Sequence, residues 1–526
     1  MQQFPLLTVL ILLPLVGALA VIGHRFAPYG RESHYRWIAL IFSLLTFALS
    51  LLLLTGGGYG AGFRFEQNVP WIGAIGTNYH IGVDGISLWL VLLTTLLMPI
   101  SILSSWRAVE KRVLTYFVFL LVLESALIGV FVSLDLLVFY LFFEASLVPM
   151  FFLIGIWGGQ RRIYAATKFF IYTAVGSLLM LVGIIALYYI HLSQVGVGTF
   201  DYVTLLNALK DGTMMLPARP AEGLLFLAFA FAFCIKVPLF PFHTWLPDAH
   251  TEAPTAGSVI LAGVLLKMGT YGLMRFNLAL FPTASHDFAP LIITLSVIGI
   301  IYGALVAMVQ PDVKRLVAYS SVSHMGFVVL GLFSFTEIGM QGALYQMLNH
   351  GVSTGALFLI VGMIYERRHT RMIADFGGLA TVMPWFSAFF VFASLSSIGL
   401  PFLNGFVGEF LIMLGMWTSG HTLAWVATML AGTGVIWAAV YMLWMLQRVV
   451  FGRITHQENA HLSDLNAREF ALLAPLLILM LYMGIYPRPF LDRSREGVAA
   501  VRARLAAPSG EISVPVEARN SAEGSR

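Results

Sequence analysis

Charged residues and cysteine are both scarce in this chain of 526 residues. Only 11% of the residues are charged and 59% are hydrophobic, whereas a typical soluble domain carries about 25% charged residues. The single cysteine, Cys234, excludes an internal disulfide and any CxxC-type metal or iron–sulfur site. The chain also has no nucleotide-binding fingerprint. These absences exclude a soluble globule and predict a polytopic membrane protein with no redox centre of its own.

The excess of positive charge does not indicate nucleic acid as a partner. The net charge is +4 and the isoelectric point is about 9.0, but the basic residues are spread through short loops and form no basic face. Because Lys and Arg collect in the cytoplasmic loops of membrane proteins, most of this charge reflects the orientation of the chain in the membrane. The expected environment is the lipid bilayer.

Apolar runs of about 20 residues predict an all-α fold with about fourteen transmembrane helices. The approximate cores are residues 4–22, 36–54, 84–104, 113–132, 134–156, 165–190, 222–242, 254–275, 290–309, 315–334, 340–364, 383–412, 424–446 and 468–486. The first run has no Lys or Arg before it and no clear small-residue cleavage site, so we expect a retained helix and not a signal peptide. The tail beyond about Ala507 is expected to be poorly ordered.

The distribution of Lys and Arg predicts the orientation of the chain. Loops after odd-numbered spans are basic, for example around Arg107 and Arg112 or around Arg367, whereas loops after even-numbered spans hold few basic residues. The positive-inside rule therefore places both termini outside the cytoplasm. Seven arginines in residues 487–526 argue the other way, but distal charge carries less weight than short internal loops.

Two spans contain helix-breaking residues at matching positions. The seventh span carries Pro238 and Pro241, and the twelfth carries Pro401 between Gly399 and Gly405. Each proline removes a backbone donor and clashes with the preceding turn, so both helices are predicted to be broken. Matched interruptions indicate inverted repeats around a central ion site, although prolines that only kink membrane helices are a simpler alternative.

The repeats give a predicted domain organisation. Residues 1–112 form the first three helices, and residues 113–280 form a first five-helix repeat of helices 4–8. Residues 281–452 form a second repeat of helices 9–13, and residues 453–526 hold the last helix and a polar tail.

Four of the ionisable residues inside apolar spans are candidate site residues: Glu144, Lys236, Lys267 and Glu409. Each costs roughly 2.5–3.5 kcal/mol at the centre of a bilayer on insertion scales. Glu144 and Lys236 are candidate partners, because a buried lysine beside a carboxylate can gain and lose a proton. A static ion pair between helices is the alternative. Lys267 has no carboxylate in its own span and Glu409 has no basic residue in its helix, so the pattern favours a proton path over a structural role for both.

Polar stripes link Lys267 to Glu409 along the sequence. Ser320 and His324 lie four residues apart in the tenth span, and the eleventh span places Gln346, Asn349, His350 and Ser353 on one face. A lone membrane histidine is often a packing residue. Two on neighbouring helices favour a proton relay, because histidine titrates near neutral pH.

Two segments, residues 238–254 and 310–326, resemble signatures of the proton-pumping antiporter-like membrane subunits of respiratory complex I. Mrp-type cation/proton antiporters and membrane-bound hydrogenases share these signatures. The resemblance extends from Gly82-Val-Asp-Gly85 to Glu409. It implies that Glu144 and Lys236 form the pair of helices five and seven, that Lys267 is the central connecting lysine, and that Glu409 is the terminal residue.

The resemblance also implies a subtype and an assembly. The other two antiporter-like subunits of complex I usually carry lysine at the position of Glu409, and the polar tail is too short for the long lateral helix of the largest one. The resemblance implies a bacterial inner-membrane location and contacts with other complex I membrane subunits, especially the two antiporter-like ones. NADH, FMN, iron–sulfur clusters and quinone are expected in partner subunits, with no cofactor or metal in this chain. A subunit of a Mrp-type antiporter and a passive scaffold are the alternatives.

Overall fold

The structure is a computed structural model that describes residues 5–26, 31–55, 59–60 and 62–506. Helices dominate it, and twelve helices in these ranges are long and apolar enough to cross a membrane. The predicted class, an all-α polytopic membrane protein, is confirmed.

The main elements in chain order are α1 (Leu6–His24), α2 (Glu32–Leu54), β1 (Arg64–Ile72), β2 (Thr77–Val83), α3 (Ser87–Ala108), α4 (Val113–Val132), α5 (Leu136–Trp157), α6 (Arg162–Val195), α7 (Tyr202–Lys210), α8 (Ala221–Lys236), α9 (Trp245–Glu252), α10 (Thr255–Leu280), α11 (Pro282–Met308), α12 (Val313–Leu332), α13 (Glu337–Arg368), α14 (Pro384–Ile398), α15 (Asn404–Trp417), α16 (Ala424–Val449), α17 (Ala467–Ile485) and α18 (Arg488–Ala506).

Both predicted helix interruptions are present. The seventh span ends as a helix at Lys236, continues through turns that contain Pro238 and Pro241, and resumes as α9. The twelfth span is split into α14 and α15 by a short turn around Pro401. Proline explains both positions, because it has no backbone N–H to donate and its ring obstructs the preceding turn.

The centre of the protein is formed by α10 and α13. Both are buried over their whole apolar length, whereas α1, α2 and α16 leave a wide apolar face at the surface. The helix α13 contacts α10, α12, α14, α15, α17 and α18. Polar groups on α10 and α13 therefore lie away from lipid, where other protein groups can satisfy them.

The central helix α10 is not a regular α-helix. Leu261–Leu265 and Leu273–Asn277 are π-helical, and Lys267 lies on the α-helical stretch between them. Single π-helical turns interrupt the regular hydrogen-bond ladder and are frequent at functional sites. Apolar periodicity does not reveal this irregularity, so the sequence predicted a plain helix.

Two further elements were missed by the apolar scan. The strands β1 and β2 form an antiparallel hairpin between α2 and α3. The polar tail begins with the amphipathic helix α18, which buries Phe490, Val498 and Val501. The tail beyond Ala507, predicted to be poorly ordered, lies outside the described residues. The domain bounds, the helix count and the inverted repeats stay predictions.

Candidate proton-transfer site

The six predicted site residues all lie on helices. They are Glu144 on α5, Lys236 on α8, Lys267 on α10, His324 on α12, His350 on α13 and Glu409 on α15. Of these helices, α5, α10, α12 and α13 are long and apolar enough to cross a membrane, and α8 and α15 belong to the two broken spans. Five of the six side chains are buried, and Glu144 is half-buried. Because these five side chains are buried, each of them needs a hydrogen-bond partner or must be uncharged.

Lys267 is held between its own helix and α13. Its Nζ donates to the carbonyl oxygen of Ala262, which lies in the first π-helical segment. The same Nζ lies 2.7 Å from Nδ1 of His350. The lysine is completely buried, and among the described residues no carboxylate lies within ion-pair distance of it. Its neighbours therefore favour proton exchange with an imidazole over a fixed ion pair.

His350 is followed in space by His324 and then by Glu409. The centroids of the two imidazole rings are 5.9 Å apart, and Nδ1 of His324 lies 3.2 Å from Oε1 of Glu409. The structure thus brings together four of the predicted residues in the order Lys267, His350, His324, Glu409. These residues form a continuous row of titratable groups across α10, α13, α12 and α15.

Amides and hydroxyls surround the end of this row. Gln346 donates to Oε1 of Glu409 at 3.2 Å, and Ser397 Oγ lies 3.3 Å from Nε2 of His324. Asn349 donates to Oε1 of Gln346 at 2.9 Å. These residues include the predicted polar stripe of α13. They hold the carboxylate and the imidazole in place without adding a fixed charge.

The break between α14 and α15 shapes the surroundings of Glu409. Gly399 has φ of +82°, and a Cβ there would lie 2.8 Å from Oε2 of Glu409. A side chain is excluded by both the conformation and the space. The interrupted helix therefore lets backbone approach the buried carboxylate closely.

A small cavity of about 10 Å³ lies between the two histidines and is lined by His324, His350, Ser353 and Ser397, among others. One water needs a volume of at least about 10–15 Å³ by this measure. Nε2 of His350 is buried and has no hydrogen-bond partner among the described residues. The cavity therefore suits a single water that bridges His350 to the next group.

Glu144 and Lys236 do not form a direct ion pair. Nζ of Lys236 has no hydrogen-bond partner among the described residues and lies 5.0 Å from the ring centre of Phe143 and 5.4 Å from that of Phe169. One carboxylate oxygen of Glu144 is likewise unpaired. The two charges still interact electrostatically through the intervening space. The predicted partnership is thus a separated pair, with Lys236 stabilised by aromatic faces.

Two buried ionisable residues near this row, His250 and Lys314, were missed in the sequence. His250 on α9 is completely buried, stacks on Phe358 with a centroid distance of 4.7 Å, and has no hydrogen-bond partner on either ring nitrogen within the described ranges. Lys314 and Lys267 both lie within electrostatic range of its imidazole. The position of His250 after a proline-broken span was the signal that could have identified it.

Lys314 connects this group to a cavity that opens to solvent. The cavity has a volume of about 560 Å³ and is lined by Arg107, Glu252, Lys314, Glu366 and Arg371, among others. Nζ of Lys314 donates to the carbonyl oxygen of Ala253. Lys314 therefore lies between this cavity and the connection from α9 to α10.

Two other buried ionisable features lie apart from this row. Glu124 on α4 is completely buried and accepts a hydrogen bond of 3.2 Å from Ser43. Asp84 forms a buried ion pair of 2.6 Å with Arg275 at the far end of α10. Within the described residues, no group of three or more His, Cys, Asp or Glu side chains could hold a metal ion.

Comparison with known proteins identifies the class. A sequence model of the family described as "NADH:quinone oxidoreductase/Mrp antiporter, TM" matches residues 133–435. The chain belongs to this family of antiporter-like membrane proteins, and the resemblance seen in the sequence is confirmed.

The relatives narrow the family to one subunit type. NADH-quinone oxidoreductase subunit M of Rhodobacter capsulatus is 47% identical over 504 residues, covering 94% of this chain and 96% of that relative. The subunit M of Escherichia coli is 44% identical over 480 residues, covering 89% of this chain and 92% of that relative. The predicted subtype, which differs from the two antiporter-like subunits with lysine at the position of Glu409, is therefore confirmed. It is subunit M of the bacterial enzyme.

Solved structures show the same fold. A chain of respiratory complex I from Thermus thermophilus with bound NADH matches with a TM-score of 0.84 at 33% identity. The match covers 95% of this chain and 100% of that chain. A chain of the Mrp complex from a Dietzia species matches with a TM-score of 0.80 at 20% identity. The second likeness shows the shared fold alone.

Proposed function

We propose that this chain moves protons across a bacterial inner membrane as the M subunit of NADH:quinone oxidoreductase. The observation that carries the proposal is the buried row of Lys267, His350, His324 and Glu409, which spans the centre of the protein. Every member can bind and release a proton. A passive scaffold has no need for such a row, because each buried ionisable group destabilises the fold.

The residues have unequal roles in this proposal. Glu144 and Lys236 form the part that responds to the neighbouring subunit, since Glu144 is half-buried and Lys236 lacks a hydrogen-bond partner among the described residues. Lys267 connects the two halves, His350 and His324 pass the proton on, and Glu409 releases it. Because no direct contact joins Lys236 and Glu144, a movement of either helix that brings them together or takes them farther apart changes their interaction.

Lys314 and His250 extend the path toward the basic face of the protein. The cavity beside Lys314 is lined by Arg107 and Arg371, residues from loops that the positive-inside rule assigns to the cytoplasm. A proton taken up there reaches Lys267 through His250. This orientation places both termini outside the cytoplasm, with fourteen crossings once the two broken spans are each counted as one.

The redox chemistry belongs to other subunits in this proposal. The chain has no nucleotide fingerprint and a single buried cysteine, so NADH, FMN, the iron–sulfur clusters and quinone are assigned to its partners. The two other antiporter-like subunits are the proposed membrane neighbours. Energy from quinone reduction reaches this chain through contacts with them.

The second candidate function is a subunit of a Mrp-type cation/proton antiporter. The shared fold supports it, but the relatives at 44–47% identity are all subunits M of the respiratory enzyme. Purification of the tagged chain distinguishes the two. Flavin and iron–sulfur absorbance with inhibitor-sensitive NADH oxidation supports the respiratory enzyme, and their absence supports the antiporter.

The proposed roles are tested with Glu144→Ala and Lys236→Ala in the intact enzyme. Proton pumping and NADH oxidation are measured together in sealed vesicles. Either variant is expected to lower the number of protons pumped per NADH or the oxidation rate itself. Wild-type values of both quantities in either variant exclude the assigned path.

A further inference from the structure

A cluster of charged groups lies outside the membrane path, where the hairpin meets the start of α5. His80 on β2 is buried, and both of its ring nitrogens face carboxylates. Nδ1 is hydrogen-bonded to Asp201, and Nε2 lies 2.7 Å from Oε1 of Glu66. Ionised carboxylates only accept hydrogen bonds, so both ring nitrogens must carry protons. The geometry is that of an imidazolium.

Backbone hydrogen bonds converge at the same place. The amide of Leu134 donates to the carbonyl of His80 at 2.8 Å, and the amide of Tyr202 donates to the carbonyl of Leu134 at 2.8 Å. The amide of Leu136 donates to the carbonyl of Phe200, also at 2.8 Å. The hairpin, the junction between α4 and α5, and the loop before α7 are thereby joined.

Asp135 links this junction to the hairpin through its side chain. Oδ1 caps α5 by accepting hydrogen bonds from the amides of Leu137 and Val138, and Oδ2 accepts one of 3.0 Å from the amide of Asn78. The charge of Asp135 also interacts with that of Asp201. The groups that face the imidazole or its partners are therefore Glu66, Asp201 and Asp135.

We propose that His80 is a positioning residue whose imidazolium fastens the hairpin and the Asp201 loop to the start of α5. The fastening is released when the pH on that face of the membrane rises. The helix α5 carries Glu144, so the release loosens the support of a group that we assign to proton transfer. This last step rests on the proposed function, whereas the fastening itself does not.

The direction of the pH effect follows from the charges. Burial lowers the pKa of His80, but the hydrogen bonds and charges of Asp201 and Glu66 outweigh burial and raise the pKa above its usual 6.5. A raised pKa means that the stabilisation is complete below about 6.5 and is lost as pH rises through the folded-state value. Neutral imidazole has one N–H, so a lone pair then faces a carboxylate.

The neighbouring carboxylates do not offset this loss. Burial raises the pKa of Asp135 to about 6, with the charge of Asp201 adding to the effect and three backbone amides opposing it. Burial also raises the pKa of Asp201, but hydrogen bonds from His80 and Thr204 lower it below its usual value. Both groups are therefore ionised in the range where His80 loses its proton. Their repulsion increases as the cation disappears.

Amide hydrogen exchange in the intact enzyme in lipid nanodiscs tests the proposal. Protection of the Leu134, Leu136 and Tyr202 amides is measured between about pH 6 and about pH 9 and corrected for intrinsic exchange. Above the His80 transition, protection in the wild type is expected to fall by up to about tenfold per pH unit. No enzyme turnover is needed, so the outcome is independent of the role of Glu144.

Three variants complete the experiment. His80→Gln is expected to show weaker protection without the pH transition. His191→Gln is the matched control, because His191 is as buried but contacts the carbonyl of Val197 at 2.6 Å; it should keep the wild-type profile. Glu66→Gln changes a side chain that is 45% exposed, preserves the fold and should move the transition to lower pH. Identical profiles in the wild type and His80→Gln, or an unmoved transition in Glu66→Gln, overturn the proposal.

Discussion

Nζ of Lys267 lies 2.7 Å from Nδ1 of His350, so the protonation state of the lysine determines which tautomer the histidine adopts. While Lys267 is protonated, its ammonium only donates, so Nδ1 accepts and the proton of the neutral imidazole is on Nε2. Nε2 is the atom without a partner among the described residues, and the ring belongs to the wall of the small cavity shared with His324. A protonated Lys267 therefore directs the exchangeable proton of His350 toward the side of His324.

Removal of this imidazole is expected to interrupt the row. In His350→Gln the side chain still makes hydrogen bonds but can no longer bind and release a proton. Proton pumping by the intact enzyme should therefore fall at least about tenfold, which is the lower end of the effect expected for a proton-transfer group. Pumping is measured by dye quenching in sealed vesicles. His461→Gln changes an exposed loop residue and should behave as the wild type. Undiminished pumping in His350→Gln would exclude the relay.

The buried Lys236 is expected to lower the stability of the protein although it takes part in proton pumping. Its ammonium is completely buried and lacks a hydrogen-bond partner among the described residues. Lys236→Met keeps the contacts with Phe143 and Phe169 and removes a buried donor that has no hydrogen bond. Because such an unsatisfied group costs about 1–3 kcal/mol, the subunit should become more stable. The thermal unfolding midpoint of the purified enzyme should rise while pumping falls.

The control for this prediction is Lys168→Met. Lys168 is only partly buried and pairs with Asp248 at 2.7 Å, so its replacement removes a favourable contact. Its unfolding midpoint should be unchanged or lower. A Lys236→Met enzyme that is less stable than the wild type, or that pumps normally, contradicts the assigned role.

The sequence predicted what local chemistry determines. Pro238 and Pro401 each lie close to a second helix-breaking residue, and the chain leaves the helix at both, whereas single prolines remain inside other helices. The cost of a charge in lipid identified Lys267 and Glu409. Their contacts were not predictable. Lys267 and His350 are 83 residues apart, and no periodicity in one helix indicates which face of another it meets. Glu144 and Lys236 were predicted as partners, but the sequence did not indicate that aromatic rings surround Lys236 or that the two side chains lie apart.

Other misses have different physical causes. His250 follows a broken span, where the low hydropathy of the sequence predicts a loop. The structure instead has the helix α9 there, and His250 is buried on it. Glu124 lies in a run so apolar that one carboxylate leaves the mean hydropathy nearly unchanged. The hairpin is short, and its pairing depends on the loop before α7 and the α4–α5 junction. These features require tertiary contacts that composition and spacing do not encode.

The proposed orientation predicts an asymmetric labelling pattern. Lys111 in the loop between α3 and α4 and Lys210 at the end of α7 are exposed, and they lie on opposite faces in this topology. In a Cys234→Ser background, Lys210→Cys should react with a membrane-impermeant maleimide added outside intact cells, and Lys111→Cys should react only after permeabilisation. The native Cys234 is buried, so its replacement removes little reactivity. The opposite pattern reverses the proposed orientation and leaves the buried row in place.

A methyl group added at Gly408 should displace Gln346, which donates a hydrogen bond to Glu409. A Cβ at Gly408 would lie 2.3 Å from Oε1 of Gln346 and 2.7 Å from Nδ2 of Asn349. Gly408→Ala therefore pushes Gln346 out of the position from which it donates to Glu409 at 3.2 Å. Without that hydrogen bond the carboxyl group of Glu409 keeps its contact with His324 but is held less firmly in the position from which it releases its proton.

This variant separates proton release from the rest of the path. Pumping should fall several-fold in Gly408→Ala, while the enzyme assembles and every titratable residue remains. Gly432→Ala is the matched control, because the nearest atom to its added Cβ is the sulfur of Met413 at 3.9 Å. Alanine also favours helix over glycine by about 1 kcal/mol, so the control should be at least as stable as the wild type. Normal pumping by an assembled Gly408→Ala enzyme would show that Gln346 does not support Glu409 in its role.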